Sequence, residues 1–334
     1  MKQYRIGILG ATGAVGREMM KVLEERKFPI SELRLLAGAG SAGKRISFMG
    51  KEHTVIQASE DAFEGLDIVL GAAENDIAMR FAPAIVKAGA VFVDNSSAFR
   101  LYEDVPLVVS EINPGDVRKH RGIIANPNCT TIISLVALNA LNKESPIESI
   151  IASSYQAVSG AGAQGISELS EETAAIAAGE AIKPSVFPYQ IAYNVIPQIG
   201  PEAFMGYTSE EMKLQNEGRK ILHSPKLKVS CTCVRVPVFR SHSVSLLIRT
   251  KEKISVARAR ELIAAAAGCR LTDDIANRVY PMPLDTSDQD LVYVGRIRDD
   301  LTDERGLNLW CCGDQLRKGA ATNAVQIAEI VAGL

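Results

Sequence analysis

The stretch YRIGILGATGAVGREMMKVLEE, residues 4–25, decides the fold of the N-terminal part of the chain. A short apolar run ends in glycines and leads into apolar residues at helical spacing, which predicts a strand, a tight turn and a helix. Gly10, Gly13 and Gly16 have the spacing GxxGxxG, a variant of the dinucleotide-binding fingerprint. Such glycines let the backbone approach a pyrophosphate, and the helix start supplies N–H donors. An ordinary glycine-rich turn is the alternative.

The runs that follow extend this pattern through the first part of the chain. Strands that alternate with helices predict an α/β fold with an N-terminal Rossmann-like, doubly wound parallel sheet over residues 1–127. Longer alternating runs and helices predict an α+β domain, with a largely antiparallel sheet, over residues 128–315. The final helix, within residues 316–334, is expected to return to the first domain. The predicted strands after the first are ELRLLAG (32–38), DIVLGAA (67–73), AVFVDNS (90–96), LVVSEIN (107–113) and GIIANPN (122–128).

Composition narrows the function classes. The chain has 334 residues and a formal net charge of −2, so no basic surplus points to nucleic acid or to an anionic membrane. The apolar runs are too short to span a bilayer, and no signal-like leader opens the sequence. Six cysteines form no CxxC pair and four histidines are scattered, so we expect neither a metal site nor a disulfide framework. A cytoplasmic enzyme is the prediction.

One cysteine occupies a position suited to catalysis. Cys129 follows Asn128, a good helix N-cap residue, and precedes the apolar run TTIISLVALNAL (130–141). Its sulfur would lie in the first turn of a helix, where aligned N–H groups stabilise a thiolate. Position alone leaves a nucleophile and a core residue as equal alternatives. For the other five cysteines we predict inert core positions.

Candidate partners for this thiol lie in RVPVFRSHSVS, residues 235–245. Arg235 and His242 stand at the ends of neighbouring extended segments, where side chains can point into a site. A cysteine nucleophile needs such a proton partner. The alternatives are an arginine that reaches solvent and a satisfied structural histidine.

A helix start downstream offers further charged groups. Thr208 and Glu211 form a predicted capping box, which leaves Glu210 for another role. Glu210 and Lys213 share a helix face, and an exposed ion pair is the alternative. Arg100 follows a strand of the first domain, at the edge where such folds bind ligands.

Eight motifs together resemble the bacterial aspartate-β-semialdehyde dehydrogenase family, in order and nearly end to end. The resemblance implies reversible, NADP-dependent conversion of aspartate semialdehyde and inorganic phosphate to aspartyl phosphate. It also implies flux toward lysine, threonine, methionine and isoleucine, and a homodimer formed through the second sheet, with a tetramer as the alternative. The motifs are GATGAVG (10–16), VDNSSAFR (93–100), NPNCTT (126–131), SYQAVSGAG (154–162), EEMK (210–213), CVRVPVFRSHS (233–243), YVGRIR (293–298) and KGAATNAVQIAE (318–329).

The resemblance also implies residue roles. Cys129 becomes the nucleophile and His242 the general acid/base, with Gln156 and Asn128 beside the thiol. Arg235 matches the arginine for the substrate carboxylate and Glu210 the contact to its amino group. The remaining matches are Arg100 and Lys213 at the phosphate site, Asn323 near the nicotinamide, and the cofactor contacts Gly10, Thr12, Gly13, Ala14, Val15, Gly16, Ser41 and Gly160.

Related thiol dehydrogenases are the nearest rivals, for example N-acetylglutamyl-phosphate reductase or glyceraldehyde-3-phosphate dehydrogenase. Their cysteine motifs differ from NPNCTT. A non-enzymatic nucleotide sensor is a second rival, although such a protein should lack Cys129 or His242, and this chain has both.

The end of the second predicted strand departs from the family pattern SxRSAGK. Gly38 and Gly40 replace its serine and arginine, which removes the expected clamp for the 2′-phosphate of NADP. Ser41 and Lys44 are the candidates that compensate. We therefore expect NADP as the cofactor, with weakened discrimination against NAD.

Overall fold

A computed structural model describes residues 2–334, which divide into two compact units. The first unit runs to Asn128 and also includes Ala320–Leu334, and the second is Cys129–Gly319. The two divisions lie one and four residues beyond the predicted domain boundaries. No helix described for residues 2–334 is long and apolar enough to cross a membrane.

The first unit is built around a parallel sheet, as its sequence predicted. Six strands lie in the order β5-β2-β1-β6-β7-β8, and every neighbouring pair is parallel. This is the strand order of a Rossmann fold, while β3 and β4 form a separate antiparallel pair. Its strands are β1 (Tyr4–Leu9), β2 (Ile30–Ala37), β3 (Arg45–Phe48), β4 (Lys51–Thr54), β5 (Ile56–Gln57), β6 (Ile68–Gly71), β7 (Val91–Asp94) and β8 (Ile123–Ala125). Its helices are α1 (Ala14–Glu25), α2 (Asn75–Lys87) and α8 (Thr322–Ala332).

The core of this unit follows from its apolar patterning. Ile6 and Ile8 of β1 pack with Met19 of α1 and Val325 of α8, and all four side chains are fully buried. Burial of a side chain of this size contributes about 1.5–3 kcal/mol. The apolar face of α8 is therefore part of the same core as the first strand.

The strand predicted over residues 107–113 is wrong. Only Leu107 pairs there, as an isolated bridge to Ala125. The reason is Asn113, whose Oδ1 accepts from the Val109 N–H at 2.9 Å and whose Nδ2 donates to the Leu107 carbonyl at 2.9 Å. An asparagine that bonds nearby backbone groups competes with sheet pairing and favours a turn.

The second unit has a mixed sheet in the order β12-β9-β13-β16-β15-β14. The three central pairings are antiparallel, and the two outer ones, β12 with β9 and β14 with β15, are parallel. Helix α3 packs on one face of this sheet, against β9, β13, β15 and β16. The strands are β9 (Ile147–Gln156), β10 (Glu202–Phe204), β11 (Tyr207–Thr208), β12 (Lys228–Arg235), β13 (His242–Thr250), β14 (Cys269–Leu271), β15 (Val292–Asp299) and β16 (Gly306–Gly313). The helices are α3 (Cys129–Glu144), α4 (Gly162–Ala178), α5 (Ser209–Ile221), α6 (Val256–Ala264) and α7 (Pro283–Thr286).

Candidate active site

The six cysteines differ in their exposure to solvent. Cys129, the first residue of α3, is partly exposed, whereas the other five are buried, as predicted. Burial raises the pKa of the Cys312 thiol to about 11 and that of Cys311 well above its usual value. Such thiols stay protonated and unreactive, while the helix start favours a thiolate at Cys129. A Cβ on Gly319 would lie 2.8 Å from the Cys129 Cβ, so the chain can pass close to Cys129 there because residue 319 is glycine.

Gln156 and Glu210 are joined inside the second unit. Gln156 ends β9 and is buried, and its Nε2 donates to Glu210 Oε1 and to Ser154 Oγ, each at 3.2 Å. The second oxygen of Glu210 accepts from Lys213 Nζ at 2.7 Å. Glu210 is only 8% exposed, so the alternative of an exposed surface ion pair is wrong.

The predicted capping box at the start of α5 is confirmed. Thr208 Oγ1 accepts from the Glu211 N–H, and Glu211 Oε2 accepts from the Thr208 N–H. The other oxygen of Glu211 accepts from the Cys233 N–H at 3.0 Å. Glu211 therefore ties α5 to β12, and Glu210 is the carboxylate directed to Gln156 and Lys213.

Arg235 ends β12 and is directly opposite Gln156 in the parallel register with β9. Its guanidinium donates from Nη1 to the Ala157 carbonyl at 2.6 Å and lies over the Phe187 ring at 5.8 Å. Its backbone pairs in both directions with that of Ile196. The Arg235 side chain is buried, and its guanidinium is held by the Ala157 carbonyl and the Phe187 ring. Such a guanidinium is suited to hold an anionic ligand group.

The groups Cys129 and Glu210, near Arg235, favour the positively charged form of its guanidinium. Burial lowers the pKa of the guanidinium, and the nearby Cys129 and Glu210 offset only part of this effect. Arginine stays protonated in proteins, so the site retains one fixed positive charge beside the candidate nucleophile. A positive charge at this position favours the thiolate form of Cys129.

His242 is the first residue of β13 and is completely buried. Its Nδ1 accepts a hydrogen bond from the Ala157 N–H at 3.0 Å. Burial, with the charge of Arg235, lowers the pKa of His242 to about 3, against the opposing effect of Glu210. Gly160, predicted as a cofactor contact, lies in this cluster, because a Cβ there would be 3.5 Å from His242 Nε2 and 2.6 Å from Arg235 Nη1.

Two carboxylates on α4 hold the chain segment that covers Arg235. Glu168 accepts hydrogen bonds from the backbone N–H groups of residues 185–187 and from the Ser185 hydroxyl. Glu172 accepts from the N–H groups of residues 191 and 192, both at 2.8 Å. Both carboxylates are buried, and the segment they order carries Phe187. We call residues 185–192 the cover segment.

The glycine loop of the first unit fits a dinucleotide. Gly10 has φ +90°, and a Cβ there would lie 2.4 Å from the Ala72 carbonyl oxygen. A Cβ on Gly16 would lie 2.4 Å from the Gly10 carbonyl oxygen. Both positions are therefore closed to larger residues, and Gly13 precedes α1, whose first residues are Ala14 and Val15. The open turn and the helix start match the pyrophosphate cradle of this fold.

Three polar side chains near the end of β2 are joined by hydrogen bonds. Thr12 Oγ1 donates to Ser41 Oγ at 3.3 Å, and Lys44 Nζ donates to the same oxygen at 3.4 Å. A Cβ on Gly38 or Gly40 would meet no atom within 4 Å. Ser41 and Lys44, the candidates to compensate for the missing arginine, therefore lie in one polar group with Thr12, and there is open space around the two glycines.

Three further predicted residues lie in the first unit. Arg100 is buried and donates from Nη2 to the Asn95 carbonyl at 2.7 Å, and Asn128 is buried immediately before Cys129 in the chain. The Asn323 amide is fully buried, and its Nδ2 donates to Asn126 Oδ1 at 2.6 Å.

The side-chain amide of Asn323 makes several hydrogen bonds within the first unit. Besides Asn126, its Nδ2 reaches the Val108 carbonyl, and its Oδ1 accepts from the Ser110 N–H. Asn126 in turn donates to Asn95 Oδ1 at 2.8 Å. The amide of Asn323 therefore positions neighbouring groups, and donation from its Nδ2 to a nicotinamide would require one of the two bonds of that nitrogen to break.

Several functional residues were missed by sequence reasoning. Ala157 acts through its backbone, and no side-chain pattern signals that. Glu168 and Glu172 are four apart on α4, a spacing that equally describes a solvated helix face. Asn126 lies inside the NPNCTT motif, which was the one available signal.

Comparison with known proteins agrees with this geometry. Residues 5–120 match the family model "Semialdehyde dehydrogenase, NAD binding domain", and residues 138–318 match "Semialdehyde dehydrogenase, dimerisation domain". The chain is 49% identical over 332 residues to the aspartate-semialdehyde dehydrogenase of Aquifex aeolicus, with 98% of each chain covered. It is 46% identical to that of Bacillus subtilis, covering 97% of this chain and 96% of the relative.

Solved structures give the same result. The crystal structure of aspartate semialdehyde dehydrogenase II from Vibrio cholerae superposes with a TM-score of 0.97 at 42% identity and covers 99% of both chains. A second structure of that enzyme, complexed with ASA, also has a TM-score of 0.97. Since sequence and structure agree over nearly the whole length, this chain belongs to the aspartate-semialdehyde dehydrogenase family.

Proposed function

We propose that the chain converts aspartate semialdehyde and inorganic phosphate reversibly to aspartyl phosphate, with NADP as cofactor and Cys129 as nucleophile. The observation that carries the proposal is the cluster in the second unit. A partly exposed thiol at a helix start lies near a buried arginine, and a buried histidine, glutamine and glutamate complete the group. The complex of the Vibrio cholerae relative with ASA supports the substrate class.

The covalent steps take place on Cys129. Its thiolate adds to the aldehyde carbon to give a thiohemiacetal, and oxidation of this adduct gives a thioester. Phosphate then displaces the sulfur and forms the acyl phosphate. A bound NADP would supply the hydride acceptor for the oxidation, and Gly10, Gly13 and Gly16 would hold its pyrophosphate. His242 is proposed as the general acid/base, and the Cys129 N–H at the helix start as an oxyanion donor.

Binding uses the charged groups of the cluster. Arg235 is proposed to hold the substrate carboxylate through its planar fork, and Glu210 to hold the amino group. Gln156 would orient the acyl group beside the sulfur, since its amide is fixed by Glu210. Lys213 is proposed as a phosphate contact. Arg100 as a second phosphate contact, and the cytoplasmic location, stay predictions.

The direct test is NADPH formation from aspartate semialdehyde. We expect the rate to require added phosphate, because the thioester is released by phosphorolysis. Aspartate semialdehyde, N-acetylglutamate semialdehyde and glyceraldehyde 3-phosphate should be compared as substrates. A preference for either of the last two, or turnover independent of phosphate, would contradict the proposal.

Weak cofactor discrimination is a second expectation. Without an arginine at position 40, we expect kcat/KM for NADP to exceed that for NAD by less than about a thousandfold, or roughly 4 kcal/mol. Gly40→Arg has open space for its side chain and should raise the ratio at least about tenfold, because a charged hydrogen bond contributes about 1.5–3 kcal/mol.

Lys44→Ala is the matched variant. It should lower kcat/KM with NADP and leave NAD kinetics nearly unchanged, if Lys44 and Ser41 bind the 2′-phosphate. A wild-type ratio above a thousandfold, or equal losses with both cofactors in Lys44→Ala, would contradict this assignment.

We also propose a homodimer through the open face of the second sheet. Ile151 is 55% exposed on β9, and Tyr155 of the same strand packs against Trp310 of β16 with ring centroids 5.4 Å apart. Exposed apolar groups side by side on a sheet are typical of subunit interfaces. The matched dimerisation domain supports the proposal, and a mass measurement in solution distinguishes monomer, dimer and tetramer.

A further inference from the structure

Asn126 follows β8, is completely buried, and joins two other segments of the first unit. Its backbone N–H donates to the Asp94 carbonyl, at the end of β7, at 2.7 Å. Its Nδ2 donates to Asn95 Oδ1 at 2.8 Å, and its Oδ1 accepts from Asn323 Nδ2 at 2.6 Å. A longer contact of 3.4 Å runs from the same Nδ2 to the Ala320 carbonyl. Asn126 therefore connects the loop after β7 to the first turn of α8.

The three amides of Asn95, Asn126 and Asn323 form a chain of hydrogen bonds whose direction is fixed at both ends. Asn95 Nδ2 donates to the Gly71 carbonyl at 2.7 Å, and Asn323 Nδ2 donates to the Val108 carbonyl at 2.9 Å. A carbonyl can only accept, so neither end amide can turn around without placing an acceptor against an acceptor. Asn126 must therefore donate to Asn95 and accept from Asn323.

The loop after β7 carries Arg100, and its first residue contacts that arginine. The Asn95 carbonyl accepts from Arg100 Nη2 at 2.7 Å. Arg100 is buried, so this carbonyl is one of the groups that set the direction of its planar guanidinium. The position of Asn95 therefore affects where the other N–H groups of Arg100 point.

Asn126 is the side chain that holds the oxygen of the Asn95 amide. The nitrogen of that amide, and the Asn95 backbone N–H at 3.2 Å, are both bonded to the Gly71 carbonyl. Without the Asn126 amide, Asn95 Oδ1 would turn to water, since Asn95 is partly exposed. The loop would then lose its side-chain connection to β8 and α8, and the carbonyl that bonds Arg100 would be free to shift.

We propose that Asn126 is a positioning residue for Arg100, which is expected to contact the phosphate substrate. Through Asn95 it fixes the carbonyl that orients the guanidinium, and so it sets the geometry in which a phosphate oxyanion is bound. The aldehyde substrate has its proposed contacts, Arg235 and Glu210, in the second unit. The proposal rests on the proposed function and deepens it, because it adds a determinant of phosphate binding.

Steady-state kinetics of Asn126→Ala and Asn126→Leu separate positioning from a purely structural role. Both variants remove the amide, and leucine does so without leaving a cavity. The KM for inorganic phosphate should rise roughly tenfold or more in both, because a displacement of about 1 Å can cost about a hundredfold. The KM for aspartate semialdehyde should change by less than about threefold. Equal rises in the two KM values, or an effect in the alanine variant alone, would overturn the proposal.

Asn142→Ala is the matched control for the loss of an amide. Asn142 is partly buried in the second unit, and its Oδ1 accepts from the Ile147 N–H at 3.0 Å. This variant should have a lower melting temperature and an unchanged KM for phosphate. A comparable rise of that KM in the control would show that it follows from lost stability, which contradicts positioning.

A double-mutant cycle tests whether Asn126 acts through Arg100. Arg100→Ala alone should raise the KM for phosphate at least as much as Asn126→Ala does. Adding Asn126→Ala to Arg100→Ala should raise it by less than about twofold more, because residues of one network are not additive. Full additivity would overturn the proposal. An unchanged KM in Arg100→Ala, or turnover without phosphate, would instead contradict the proposed function.

Crystal structures of the parent protein and Asn126→Ala decide the positioning without turnover. In the variant we expect Arg100 Nη2 to lie beyond about 3.5 Å from the Asn95 carbonyl, outside hydrogen-bond range. An unmoved Arg100 would overturn the proposal, whatever the reaction proves to be. If neither Asn126 variant folds, Asn95→Ala removes the other end of the same bond at a partly exposed position and should displace Arg100 in the same way.

Discussion

Cys129→Ala is expected to lower phosphate-dependent kcat by about 10⁴-fold or more, which is typical of the loss of a covalent nucleophile. The residue is partly exposed and starts α3, so the change removes a sulfur without opening a core cavity. Thermal stability should therefore stay close to that of the parent protein, and steady-state kinetics with a melting curve check both statements.

Cys269→Ser is the matched control for this variant. Cys269 is buried and its Sγ donates to the Val136 carbonyl of α3 at 3.3 Å, a bond that a serine hydroxyl can also make. It should retain most of the activity. A thiol-labelling reagent should modify Cys129 in the parent protein. The rate of turnover should fall in proportion to the fraction of Cys129 that is modified. Substantial activity in Cys129→Ala would end the proposed covalent mechanism.

Arg235→Ala is expected to lower kcat/KM for aspartate semialdehyde by roughly a thousandfold, or about 4 kcal/mol. Arg235 is 7% exposed, so if it holds the substrate carboxylate as proposed, its removal leaves that carboxylate in a buried site without a matching charge, near Glu210. Arg235→Lys should recover only part of the loss, because an ammonium lacks the bidentate fork.

A substrate without the α-carboxylate separates binding from folding effects. For 3-aminopropanal, kcat/KM should be low in the parent protein and change little in Arg235→Ala. A parallel loss with both aldehydes would place Arg235 outside carboxylate recognition. Arg270→Ala serves as a control for loss of a positive charge. Arg270 belongs to β14, and its guanidinium lies over the ring of Tyr293 on β15.

Local patterns in the sequence predicted the elements of the first unit but not every pairing. The glycine turn and the Thr208 capping box depend on neighbouring residues, and the parallel sheet follows from strands that alternate with helices; all three were confirmed. The strand over 107–113 failed because one asparagine outweighed a run of β-branched residues. The parallel pairing of β12 with β9 joins residues about 80 apart, and strand composition does not encode such a partner.

The candidate site shows a similar limit. Cys129, His242 and Arg235 were candidates because of their positions at element ends, but their roles came from the family resemblance. Glu210 could not be separated from a surface ion pair, since its burial depends on Gln156, more than fifty residues earlier in the chain. Ala157 contributes only peptide groups, which every residue possesses.

The cover segment makes the burial of Arg235 sensitive to acid. Burial raises the pKa of Glu168, but the hydrogen bonds from residues 185–187 outweigh it, and the net shift is downward. A carboxyl group with a lowered pKa stabilises the folded state above its unfolded value and loses that contribution as the pH falls through its folded value. The contribution of Glu168 should therefore begin to fall below roughly pH 4.5, the usual range of a glutamic acid, and be lost only at the lower pH at which the folded carboxyl accepts a proton. The segment should then detach from α4 as a local unit while the sheets remain folded, and Arg235 would lose its cover without global unfolding.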